Sequence, residues 1–222
     1  MAFGIVLLTG CLLGFASGLA AEPVRIGVTT ILSGQYADRG QSEQYGVELA
    51  LQRINEAGGV LGRPVEAFYG DNAADAETGI AATKRLIEEQ HVPVLLGALW
   101  TPVTHAIMPI VAEAKVPLII DISAGQDFVD ASGVGGNDYA FKTIPSDRDI
   151  AIAFMGWLKA QGVHSVAIVS DDNAFNHVNA VSMEKAASAA EIKIVDNETI
   201  AKDTKDLATL LERLRRSRRT GS

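Results

Sequence analysis

The sequence predicts an α/β fold built on doubly wound, mainly parallel sheets, and three observations predict it. Continuous apolar runs rich in β-branched residues recur at 24–30, 65–69, 94–97 and 116–120, the pattern of strands buried on both faces. Each pair of runs is separated by a stretch long enough for a helix, so the joins are crossovers and the strands run parallel. The turns at the carboxyl ends of these runs are small or polar, and in open α/β sheets that edge is where small ligands sit. The strand and helix pattern restarts after a Pro-Ser-Asp sequence at 145–147. A chain of 222 residues suffices for one good core or two modest lobes. The expectation is therefore a first lobe at 22–144 and a second, incomplete lobe at 145–222.

Taken in order, residues 24–30 (VRIGVTT) form the first strand and lead into a polar loop, LSGQYADRG at 32–40. A helix begins near Ser42, with Tyr45, Leu49, Ala50, Ile54 and Ala57 as its buried side, and Gly58-Gly59 stops it. After a Gly-Arg-Pro turn, 65–69 return as the second strand. Asp75 caps the next helix, whose buried stripe is Ala81, Ala82, Leu86 and Ile87. The stretch 94–128 (VLLGALWTPVTHAIMPIVAEAKVPLIIDISAGQDF) reads as strand, small-residue turn, helix and strand, ending in Ser123-Ala124-Gly125. A Gly-rich excursion at 130–138 precedes an extended segment at 139–145, where the chain crosses to the second lobe. A helix to about Gln161, a strand at 165–170, a helix at 175–190 and a strand at 192–200 follow. Residues 206–216 read as a helix that should feed another strand, and the chain closes instead on an arginine-rich run. That ending reads either as a solvated helix terminus, where positive charge is favourable, or as a truncated coding sequence; truncation is the expectation.

Hydrophobic residues make up 48% and charged residues 21% of the chain, the composition of a folded globular protein. A formal charge of -8 offers no basic face for nucleic acid. Residues 1–21 carry no charge, are dense in apolar and small residues, and end in a small-x-small pattern, so they are expected to be a secretory signal peptide. The single cysteine, Cys11, lies in that segment within Leu8-Thr9-Gly10-Cys11. It is either an ordinary leader cysteine or the lipidated residue of a lipobox. Neither reading leaves a thiol for a disulfide or a metal in the mature domain.

No catalytic set emerges. The chain has neither a G-x-S-x-G nucleophile elbow nor a G-x-x-x-x-G-K-[ST] phosphate loop. Gly133-Val134-Gly135-Gly136 lacks dinucleotide-fingerprint spacing. His91, His105, His164 and His177 are scattered without the spacing of metal ligands. The pairs Asp71 with Asp75 and Asp171 with Asp172 stand where turns and helix caps use aspartate. The expectation is a binding protein, not an enzyme, with no cofactor and no metal.

The residues 24–40, 54–62 (INEAGGVLG), 70–75 and 94–128 together resemble the periplasmic leucine/isoleucine/valine-binding proteins, the type I solute-binding proteins of branched-chain amino-acid ABC transporters. The resemblance covers 24–214. It implies two α/β lobes that close on a solute and present it to a membrane permease, a periplasmic location and a monomer. It also implies that Thr101, Ser123, Ala124 and Gly125 hold the solute's carboxylate through hydroxyl and backbone N–H groups. Such a concavity binds anions without a full positive charge. Trp100 would supply an apolar wall and Arg39 a polar lid. Phe175 stands at the second lobe's aromatic position, where relatives read Tyr-Gly and this chain has Phe175-Asn176. That departure, with Arg39 and Trp100, makes an aromatic acid an alternative to an aliphatic amino acid. A sensor domain of the same fold is the other alternative. Thr101 as a helix N-cap, and Trp100 and Phe175 as core residues, are the structural readings of the same positions.

Overall fold

The structure is a computed structural model that describes residues 22–133, 136–172, 174–201, 204 and 207–220. The expected leader at 1–21, with Cys11, lies outside the described residues. Five strands, β1 (Val24–Thr30), β2 (Val65–Asp71), β3 (Leu95–Gly97), β4 (Leu118–Ile120) and β5 (Ala140–Lys142), form one sheet in the order β2-β1-β3-β4-β5. Every pairing in it is parallel. Helices α1 (Ala37–Glu56), α2 (Ala76–Glu88), α3 (Thr101–Ala114) and the short α4 (Gln126–Asp130) connect these strands. A second parallel sheet pairs β6 (Ser165–Asp171) with β7 (Lys193–Ile200), accompanied by α5 (Asp147–Ala160), α6 (Ala174–Ala189) and α7 (Ala208–Thr220).

The main core lies between the first sheet and helices α2 and α3. Val103, Ile107 and Val111 recur at helical spacing on α3 and are fully buried, facing Leu95, Leu118, Ile120 and Ala140 from successive strands. Those four share one sheet face because neighbouring parallel strands in register point equivalent residues the same way. A smaller core joins Ala151 and Met155 of α5 to Ala186 and Ala187 of α6 and to Ile192.

Local chemistry sets the element ends as expected at two helices. Asp75 caps α2 by accepting from the Thr78 amide at 2.8 Å. Ser146 caps α5, and with Asp149 it completes a reciprocal capping box that satisfies two otherwise orphaned amides.

The expected course of α1 needs correction. The helix starts at Ala37 rather than Ser42, and it buries Gly40, Glu43 and Val47. Tyr45, Leu49 and Ile54, read as its inner side, are exposed. The apolar stripe misled because the inward face carries a glutamate and a glycine. Gly40 is there for space: a Cβ would sit 1.8 Å from the Ile31 carbonyl oxygen. In α2, Ala82 and Leu86 are buried as expected, whereas Ala81 is exposed and Gly79 and Thr83 take inward positions.

Candidate functional site

Strand order places the site. From β1 the chain moves to one side for β2 and then returns past β1 for β3, so the connections leaving β1 and β3 diverge at the carboxyl edge. Ligands of open α/β sheets bind in the crevice at such a switch point. The β1–α1 loop brings Tyr36 there and the first turn of α1 brings Arg39, the β3–α3 turn and the start of α3 bring Trp100 and Thr101, and the β4–α4 loop brings 123–125 beside that turn.

The β3–α3 turn depends on close backbone approach. Gly97 holds φ +117°, and a Cβ there would lie 2.3 Å from the Thr29 carbonyl oxygen, so only glycine fits. Trp100, with extended φ and ψ, occupies the N-cap position of α3, and Thr101 is the first helical residue. This corrects the reading of Thr101 as the cap. The Trp100 carbonyl accepts from the amides of Val103 and Thr104, each at 3.0 Å, and Pro102 has no amide to satisfy. Thr101 is half-buried, and among the described residues neither its hydroxyl nor its amide forms a hydrogen bond. A free hydroxyl and a free amide thus stand at the positive end of a 14-residue helix, a place that favours an anion.

Ser123 has a different part from the one expected. It is 3% exposed, and its hydroxyl donates to the Ala98 carbonyl at 2.7 Å while lying 2.8 Å from the Thr104 hydroxyl. The side chain is spent on pinning the β4–α4 loop to the β3–α3 turn. In this conformation the Ser123 hydroxyl holds the loop in position. The amides of Ala124 and Gly125 donate no hydrogen bond among the described residues, so they are the groups of this loop open to a carboxylate. Gly125 is buried, and a Cβ on it would meet Asp127 Oδ1 at 2.3 Å. The Ala124 carbonyl accepts from the Asp147 amide at 2.8 Å, which ties this loop to the start of α5.

Arg39 is exposed. Its guanidinium lies 5.3 Å from the Tyr36 ring centroid, and Tyr36 stacks on Trp100 with centroids 4.8 Å apart and planes at 28°. Trp100 also packs against the main core, so its wall and core readings hold together: one end is anchored and the ring stands beside Thr101. Sequence reasoning missed Tyr36 as part of this stack, although it lies in the loop 32–40 already singled out. Thr104, one helical turn beyond Thr101, was the signal for the Ser123 tether. Phe175 falls in the first turn of α6, and its side chain lies outside the described residues. Helix α6 contacts α3, so the second sheet's unit approaches the helix whose amino end forms the site.

Two buried acids border the site. Glu43 accepts from the Thr30 hydroxyl; burial first, and then the charge of Asp121, push its carboxyl up to about 8. Asp147 is 1% exposed, and burial raises its carboxyl against the pull of Lys142. The polar pairs of the histidines are local: His105 with Asp127 at 2.8 Å and His177 with Asp172 at 3.0 Å. Among the described residues no group of three or more His, Cys, Asp or Glu side chains is placed to hold a metal ion. A cavity of about 470 Å³ lies elsewhere, lined by residues 162–167 with Val195 and Leu214, at the opposite end of β6 from α6.

Residues 23–219 match the periplasmic binding protein family. This chain belongs to that family. As a periplasmic binding protein it is similar to Leu/Ile/Val-binding protein homolog 3 of Brucella melitensis, with 26% identity over 204 residues, 91% of this chain and 54% of the relative. Its fold is similar to that of an ABC transporter substrate-binding protein from Sphaerobacter thermophilus, with a TM-score of 0.79 and 24% identity over 88% of this chain and 52% of that one. It is also similar to a solute-binding protein of an R. palustris ABC transporter in complex with 4-hydroxybenzoate, with a TM-score of 0.73 and 22% identity over 88% and 52%. The chain spans about half the length of these relatives. No helix among the described residues is long and apolar enough to cross a membrane.

Proposed function

We propose that this periplasmic binding protein is the solute receptor of an ABC importer: it takes an amino acid of the branched-chain type, or a related carboxylate, between two lobes and delivers it to a membrane permease. The reading adds export through the leader at 1–21, with Cys11 a lipidation site if the leader is a lipobox, a boundary between lobes at 143–146, a monomeric state and no catalysis. What supports it is that the Thr101 hydroxyl and amide and the amides of Ala124 and Gly125, none hydrogen-bonded among the described residues, lie on two loops joined at the carboxyl edge of the sheet through Ser123, Ala98 and Thr104. Together they form a neutral donor set for a carboxylate, and neutral donors suit a ligand that must later be released.

A second reading is favoured by one feature, the Arg39, Tyr36 and Trp100 stack. Aromatic surface beside a carboxylate pocket suits an aromatic acid, and the R. palustris structure of the same fold holds 4-hydroxybenzoate. Thermal unfolding of the chain with L-leucine, L-isoleucine, benzoate and 4-hydroxybenzoate decides between the two. A ligand that binds only the folded state raises the midpoint with concentration. An upward shift with the amino acids supports the first reading and a shift with the benzoates supports the second. No shift with any of the four overturns both.

A further inference from the structure

The carboxylate site proposed above has its donors on two elements, Thr101 at the start of α3 and the amides of Ala124 and Gly125 in the β4–α4 loop. Ser123 ties that loop to the β3–α3 turn on the side before these amides. A second tie lies on the side after them, and the binding function above does not use it. His105 stands four residues after Thr101 on α3, a spacing that puts both on one face of the helix. Its Nε2 lies 2.8 Å from Asp127 Oδ2, and its ring rests on Phe128 with centroids 4.5 Å apart and planes at 45°. A carboxylate oxygen only accepts, so Nε2 is the donor of this pair. The other oxygen, Asp127 Oδ1, is buried and takes no hydrogen bond among the described residues. It is turned back against Gly125: a Cβ there would meet Oδ1 at 2.3 Å and the Phe128 ring at 3.1 Å. Asp127 and Phe128 together fill the space that a side chain at Gly125 would need.

We propose that His105 is a positioning residue of the site: through Asp127 it holds Gly125, and with it the amides of Ala124 and Gly125, in a fixed place relative to Thr101. The physical reason lies in the buried oxygen. Keeping Oδ1 out of water without a partner is unfavourable, and the bond from His105 to Oδ2 offsets that cost. Phe128 is fully buried and stays in the core, so the Asp127 carboxyl is the movable part of the packing on Gly125. Without His105 the carboxyl turns out to water, Gly125 loses one of its two supports, and the loop after Ser123 relaxes. Ser123 and Asp127 thus fix the two ends of the donor loop against the start of α3, whose first residue is Thr101. The effect of His105 on binding rests on the reading that these amides receive a carboxylate; its effect on where they sit does not.

Amide proton and nitrogen shifts of the full chain, recorded without ligand, test the placement. His105→Ala is expected to displace the resonances of Ala124 and Gly125, and His105→Gln, whose side-chain nitrogen donates to Asp127 as Nε2 does, is expected to bring them back. Glutamine has no ring, so a displacement that came from the His105 ring alone would persist in H105Q. Lys159→Ala, which opens an exposed ion pair with Glu191, is expected to leave both amides in place. In titration calorimetry with L-leucine and 4-hydroxybenzoate, the acid that binds the parent is expected to bind H105A about ten-fold more weakly, the size of one lost hydrogen bond, and H105Q within about three-fold of the parent. Amides that stay in place in H105A, displacements in H105Q as large as those in H105A, or an affinity that H105A leaves unchanged overturn the proposal. If the parent binds neither acid, the binding reading fails by itself, and the amide displacements still decide whether His105 places the loop.

Discussion

Thr101 and Ser123 show how two hydroxyls in one crevice take different work. Thr101 has no partner among the described residues, so a carboxylate can accept from it directly. A hydrogen bond to a charged group contributes about 1.5–3 kcal/mol, which corresponds to roughly a ten- to hundred-fold change in affinity. Thr101→Ala is accordingly expected to weaken binding of whichever acid shifts the unfolding midpoint by that factor in titration calorimetry, with the unliganded midpoint nearly unchanged. Ser123→Ala should do the reverse in its first effect. It removes the tether to Ala98 and Thr104 and is expected to cost about 1–3 kcal/mol of stability in urea unfolding. Residue type alone could not separate these two roles. Both are small hydroxyl residues at strand ends, and only the fold shows that Ser123 points inward at a carbonyl.

At the scale of elements, the strands and most helix boundaries were legible because local chemistry enforces them. The Asp75 cap, the start of α5 after Ser146, and the apolar runs at 24–30 and 165–170 lie where pattern and capping place them, the last strand running one residue further to Asp171. Loss of the α5 capping box is predicted to matter: Ser146→Ala should lower stability by about 1 kcal/mol, read as a shift in the urea midpoint without a change in slope. Helix α1 was not legible in the same way. Its inner face holds Gly40 and Glu43, and a glutamate turns inward here where the Thr30 hydroxyl meets it. That partner comes from the end of β1, outside the helix, so helical periodicity within α1 alone pointed to the wrong face.

For the whole molecule, the Glu43 carboxyl gives stability a pH dependence of known sign. Burial first, and then Asp121, push it from its ordinary value of 4.5 up to about 8, so between those two values the folded state holds a proton that the unfolded state has released. The contribution is complete below about pH 4.5 and declines as pH rises toward 8. Denaturation midpoints are expected to fall from pH 5.5 to 8.5 in the parent chain and to fall less in Glu43→Gln. The architecture that sets the site was largely readable in advance: a parallel sheet with its loops on one edge follows from alternating runs and crossovers. The side-chain arrangement within that edge was less readable, because the Tyr36 stack on Trp100 depends on which neighbours the strand order brings together.

The central claim is that a carboxylate sits against the amides of Thr101, Ala124 and Gly125. Amide proton and nitrogen chemical shifts, recorded while L-leucine and then 4-hydroxybenzoate are titrated into the chain, test it most directly. The account predicts that the acid that binds moves these three amides most, and that its counterpart lacking the carboxylate, isopentylamine or phenol, leaves them unmoved. Largest shifts around residues 162–167, or equal shifts with the compound lacking a carboxylate, would contradict it.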